Sequence, residues 1–157
     1  VLDGGNNIYQ FVHADDLSEA SILAINSASN GTYNIGAEEF CSMRETLEGL
    51  VKHADTGSKV KSLPMWPLKK AMQITSLLGL SPLGPYHASL YGKSLYFDIS
   101  KAKEELGYKP IYSNISMVCD SYDWYCKNRG EVLNSERGSF HRSALKQGAL
   151  NLVKYIV

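Results

Sequence analysis

The sequence predicts an α/β fold, and three features carry that prediction. A β-type run, Ile8-Tyr9-Gln10-Phe11-Val12-His13, leads into the acidic pair Asp15-Asp16, an amphipathic helix follows, and a second β-type run, Thr32-Tyr33-Asn34-Ile35, closes on Gly36. Strand, helix and strand in that order read as a crossover unit. Asp15 or Asp16 is placed to cap the helix, because a carboxylate there accepts the unpaired amide hydrogens of the first turn and sits well against the helix dipole.

Ahead of the first strand, Asp3-Gly4-Gly5-Asn6-Asn7 is turn chemistry, since glycine and asparagine accept positive φ. In the strand, Tyr9, Phe11 and His13 share one face and Ile8, Gln10 and Val12 the other, so either both faces are buried or one meets ligand. The first helix runs from Leu17 to about Ser27. It packs on a sheet through the small-residue stripe Leu17, Ala20 and Ala24, and Ser29-Asn30-Gly31 ends it. Ser42 and Glu45 form a capping box for a helix from Met43 to about His53, with Leu47, Leu50 and Val51 buried. A turn at Asp55-Thr56-Gly57-Ser58 delivers an exposed strand, Lys59 to Leu63, stopped by Pro64.

The next helix runs from Trp66 to Leu78 with Pro67 in its first turn. Its apolar face (Leu68, Ala71, Met72, Ile74, Leu77, Leu78) is broad enough to predict burial between two layers, a lid over substrate being the other reading. Residues 79–87 form a proline- and glycine-dense loop of the kind that holds ligand. Ser94-Leu95-Tyr96-Phe97 is a short strand, and Asp98 or Ser100 caps a brief helix through Leu106 that Gly107 terminates. In the following helix Ile115, Val118, Cys119, Tyr122 and Cys126 recur at buried spacing, with Asp120, Asp123 and Lys127 facing water. Residues 1–130 thus form the body and 131–157 a tail, in which Leu145, Ala149, Leu152, Val153 and Ile156 mark a last amphipathic helix expected to dock.

At 157 residues the chain has the size of one domain, and sixteen basic residues balance sixteen acidic ones. That neutrality argues against nucleic acid as a partner. Cys41, Cys119 and Cys126 lack metal-ligand spacing and read as reduced core thiols of a cytoplasmic protein. No apolar run approaches bilayer length. The first residue is Val1, which fits a chain cut from a longer one.

The motifs F-V-H-A-D-D-L, Y-N-I-G and F-D-I-S-K-A-K-E-E-L-G-Y-K-P, in that order between about Leu2 and Arg129, resemble the C-terminal half of the NAD-dependent epimerase/dehydratase family, the extended short-chain dehydrogenase/reductases. The resemblance implies the last sheet elements of a Rossmann-type fold plus a small α/β substrate domain. It also implies NAD or NADP as cofactor, a small-molecule substrate such as a nucleotide sugar, and compatibility with a homodimer. The family's glycine-rich loop and its tyrosine-to-lysine pair four positions apart are absent from this sequence and are expected upstream of Val1, so the chain alone is expected to be catalytically silent. It is expected to hold no catalytic, cofactor or metal residues of its own.

By resemblance, the strand at Tyr9, Gln10, Phe11 and His13 contacts substrate. Many nucleotide-sugar members carry an arginine near Tyr9 and another before the strand matching Leu95 to Asp98; this chain offers His87 and Lys93 instead. Arginine clamps a diphosphate through a forked pair of charged hydrogen bonds, so its absence also admits the less charged substrates of sterol or flavonoid reductases. A binding module without chemistry is the remaining alternative. Plainer roles stand beside these: His13 as a satisfied structural histidine, Asp16 as a cap, Asn34 as a strand-end hydrogen bonder, and His141, Arg142, Ser143 and Lys146 as solvated residues rather than an anion site.

Overall fold

The computed structural model describes residues 1–77, 90 and 92–134. The loop at 79–87 with His87, and the tail with its expected helix and His141-Arg142-Ser143, lie outside the described residues. Two compact units divide the chain, Val1–Asp120 and Ser121–Val157.

Among the described residues five helices follow one another: α1 (Ala14–Asn26), α2 (Met43–Ala54), α3 (Met65–Leu77), α4 (Ser100–Leu106) and α5 (Asn114–Asn134), preceded by a 3-10 turn at Asp3–Gly5. The turn needs its composition, since Asp3, Gly4 and Gly5 all have positive φ.

The helical predictions hold with local corrections. At α2 the capping box is complete, Ser42 accepting the Glu45 amide and Glu45 accepting the Ser42 amide. The hydrogen bonds from the Ser42 side chain and backbone, in that order, hold the Glu45 carboxyl below the usual carboxylate range. The α1 cap is His13 rather than Asp15 or Asp16: its Nδ1 accepts the Asp15 amide at 3.2 Å. Asp16 is instead drawn into the body, 4% exposed, where it accepts the amides of Ile111 and Tyr112. Helix α1 stops at Asn26, close to the expected end at about Ser27, but Ser27 rather than Ser29-Asn30-Gly31 closes it. Ser27 is extended and its hydroxyl accepts the Ser29 amide, turning the chain toward α4, where Ser29 and Tyr33 both donate to Glu105.

Helix α4 ends as expected at Gly107, φ 71°. Its start is tied by Asp98, which accepts the Ser100 amide and hydroxyl. Helix α5 continues through Gly130, the cost of glycine in a helix being about 1 kcal/mol. Its buried positions are Asn114 and Met117, whereas Ile115 and Cys126 are exposed, so Cys126 is not a core thiol. The broad face of α3 is not buried between layers: Met72 is covered, but Trp66 and Ile74 are 71% and 59% exposed.

The largest correction concerns the strands. Among the described residues none of the expected segments forms a ladder; isolated bridges at Leu2 and Leu63 (parallel), Ile8 and Ser42 (antiparallel), and Tyr9 and Leu95 (parallel) take their place. Side chains take several of the places that backbone partners would hold in a sheet. Around residues 8–11, Ile8 donates to the Ser94 hydroxyl, Phe11 donates to the Asn114 carboxamide, and only Ile8 and Gln10 pair with Leu95. The segment 94–97 is tied at Phe97 to the Gln10 side chain, not to its backbone. Asn34 donates to the Asp98 carbonyl, so it is a hydrogen bonder as expected, although no strand ends there.

The core joins α1 to α4: Ala20, Ile99, Ala102 and Tyr108 are buried, with Leu23, Tyr33 and Ile35 packed on them. Small residues on both helices allow the close approach. Tyr108 is 1% exposed and donates to the Gly36 carbonyl; burial, aided by the Asp16 charge, pushes its phenol up to about 12. In the second unit, Asn128 donates to the Trp124 carbonyl, and Trp124 is exposed.

Because the folded pKa of Tyr108 lies above the ordinary 10.0, its contribution to stability is fully present below pH 10 and is lost as pH rises toward 12. A phenolate absorbance titration should find one tyrosine ionising last, together with unfolding, and Tyr108→Phe should delete that step. Ionisation of every tyrosine near its ordinary pKa in the folded chain would contradict this.

Candidate functional site

The first extended segment carries the expected substrate residues, and Asn114 sets its position. Completely buried at the first turn of α5, Asn114 donates its amide hydrogen to the Tyr9 carbonyl at 2.6 Å and accepts the Phe11 amide at 3.2 Å. One side chain thus offers the donor and acceptor that a neighbouring strand would present to residues 9 and 11. With these groups held, Tyr9 and Phe11 fall on one face with rings stacked at 6.3 Å. The Tyr9 hydroxyl donates to the Leu90 carbonyl.

That face opens into a cavity of about 330 Å³ lined by Val1, Leu2, Asn7, Tyr9, Phe11, Met43, Leu47 and Gly92. Met43 and Leu47 reach it from α2 because residues four apart share a helix face. A second cavity, about 380 Å³, lies beside Glu38, Glu39, Cys41 and the start of α5 and contains none of the expected residues; Glu38 there is paired with Lys103.

Of the six expected substrate residues, Tyr9 and Phe11 line the first cavity. Gln10 turns to the other side, where its amide donates to the Ala37 carbonyl and its oxygen accepts the Phe97 amide. His13 is engaged at every edge: Nδ1 caps α1, Nε2 lies 3.3 Å from Asp120 Oδ2, and the ring stacks on Tyr112 at 3.7 Å. Since Nδ1 accepts an amide hydrogen, the neutral ring carries its proton on Nε2 and donates it to Asp120. This is the structural role. Around the same histidine, burial first and then the charge of Asp15 raise the Tyr112 phenol. Lys93 is exposed outside the cavity, and His87 lies outside the described residues. No cluster among the described residues could hold a metal.

Asn114, Asn7, Met43 and Leu47 were not singled out for the site from sequence. Met43 and Leu47 carried a helical signal, which marks a packed face without saying what it faces.

Comparison with known proteins gives the fold its context. No family model matches the chain. It is 55% identical over 155 residues to the uncharacterized protein y4nG of Sinorhizobium fredii (strain NBRC 101917 / NGR234), covering 99% of this chain and 39% of that protein. It is 26% identical over 131 residues to the 3β-hydroxysteroid-dehydrogenase/decarboxylase isoform 2 of Arabidopsis thaliana, covering 71% of this chain and 23% of that enzyme. Among solved structures, UDP-glucuronic acid 4-epimerase from Bacillus cereus, in complex with NAD, aligns at a TM-score of 0.55 and 20% identity over 81% of this chain and 34% of its own. Structural neighbours of the chain are Rossmann-type epimerase folds. The chain spans about two-fifths or less of the length of these relatives.

Two substitutions test the geometry. Asn114→Ala strands two backbone groups, at ~1–3 kcal/mol each, and should destabilise the chain by about 2–6 kcal/mol in urea. Asn114→Asp should not rescue it, because an oxygen then faces the Tyr9 carbonyl. A loss below about 0.5 kcal/mol for both would show that Asn114 does not hold the segment. Gly36→Ala would set its Cβ 2.7 Å from Cδ of Gln10, a side chain bonded at both ends. It should cost about 1–3 kcal/mol by overpacking, and a neutral result would mean Gln10 is free to move.

Proposed function

We propose that the chain is the substrate-binding portion of an NAD(P)-dependent epimerase/dehydratase-like oxidoreductase, with Tyr9 and Phe11 forming one wall of the substrate pocket. The observation that carries this reading is the cavity itself: Tyr9 and Phe11, both expected from the resemblance to meet substrate, are among the residues that line it. The fold shared with epimerases supports the general class.

In this reading hydride passes between substrate and nicotinamide, and the cofactor contacts and the proton-shuttling tyrosine belong to a dinucleotide-binding portion that this sequence does not contain. The chain contributes binding and orientation. Two substrate classes fit the relatives, a nucleotide sugar, as named for the Bacillus enzyme, and a hydroxysteroid, as named for the Arabidopsis enzyme. The aromatic, largely apolar cavity favours keeping the second beside the first.

The 157-residue chain should show no hydride transfer with NAD or NADP and no saturable binding of either by calorimetry. Supplied in trans with a dinucleotide-binding portion carrying a glycine-rich loop and the Tyr/Lys pair, it should support turnover that falls at least tenfold with Phe11→Ala. Turnover by the chain alone, or activity indifferent to Phe11, would refute these roles.

A further inference from the structure

We infer that the cavity beside Tyr9 and Phe11 receives an uncharged ring group and not a diphosphate; this names the substrate class of the site proposed above and rests on that reading. Among the described residues no charged side chain lines the cavity. Of the two cations next in sequence to lining residues, Lys93 beside Gly92 is exposed and not part of the lining, and Arg44 is committed elsewhere. Arg44, next in sequence to the lining Met43, donates Nε to the Gly4 carbonyl at 2.5 Å and Nη1 to Glu48 at 3.0 Å. The amino group of Val1 donates to the Lys61 carbonyl at 2.7 Å.

A diphosphate brought into such a space would lose water without gaining a countercharge, and buried charge without a partner is strongly disfavoured. The lining is suited to the opposite kind of guest. Tyr9 and Phe11 are nearly parallel, 13° between planes, and offer a flat aromatic wall; Leu2, Met43 and Leu47 supply aliphatic and thioether surface, and methionine adapts its shape to a ring face. Among the described residues Asn7 contributes the one carboxamide, enough to orient a hydroxyl or ketone but not to neutralise two charges. The volume, about 330 Å³, lies within the range of small-molecule pockets.

The test is a two-ligand titration of the chain followed by amide NMR, with androstenedione as the neutral ring probe and UDP-glucose as the diphosphate probe. Androstenedione should shift the Leu2, Phe11, Met43 and Leu47 resonances, with a Kd at least tenfold lower than that of UDP-glucose. Its Kd should change less than twofold between low and high salt, because no ion pair is made. Leu47→Arg should weaken the steroid at least tenfold. If UDP-glucose binds more tightly, shifts the same residues and weakens with salt, the ligand class is wrong while the site stands. If neither ligand shifts those residues, the site itself is wrong.

Discussion

The described structure depends on one buried carboxamide. Asn114 satisfies the Tyr9 carbonyl and the Phe11 amide from a helix, a task that in a sheet falls to a neighbouring strand. A backbone group buried without a partner costs about as much as a lost hydrogen bond, so the extended course of residues 8–11 needs this contact or a replacement for it. Most of what positions the cavity follows from it, because the same bonds fix which way Tyr9 and Phe11 point.

The rest of the first unit repeats the strategy. Gln10 bridges the Ala37 carbonyl and the Phe97 amide, and Asp16 gathers the amides of Ile111 and Tyr112 from the first turn of α1. Ser94 supports Ile8. Side chains therefore stitch together segments that backbone ladders do not, and the apolar contribution comes from the small core where α1 meets α4. Such a construction is sensitive to polar substitution, since Asn114, Gln10 and Asp16 are each a single residue with two partners.

This explains which parts of the molecule were legible in the sequence. Local rules read well: the Ser42 and Glu45 capping box, the Gly107 terminator and the extent of α2 depend on residues within a turn of each other. Contacts distant in sequence read poorly. That His13 rather than Asp15 or Asp16 caps α1 follows from Asp16 being claimed by residues some ninety-five positions away, which no local pattern reveals. The strand prediction failed as a prediction of ladders for the same reason, with Asn114 standing where a strand partner was expected. The breadth of the α3 apolar face implied burial, yet Trp66 and Ile74 stand open among the described residues. Within the site, Tyr9 and Phe11 were named by the family resemblance, and alternation put them on one face together with His13; Gln10 and His13 have side chains whose hydrogen bonds only the tertiary structure assigns.

Backbone hydrogen exchange resolved by residue tests the dependence on Asn114 most directly. The Phe11 amide, which has no backbone acceptor, should be protected in the native chain as strongly as the Leu95 amide that bonds the Ile8 carbonyl, and Asn114→Ala should abolish its protection while α2 amides keep theirs. Free exchange at Phe11 in the unsubstituted chain, beside a protected Leu95, would contradict the account.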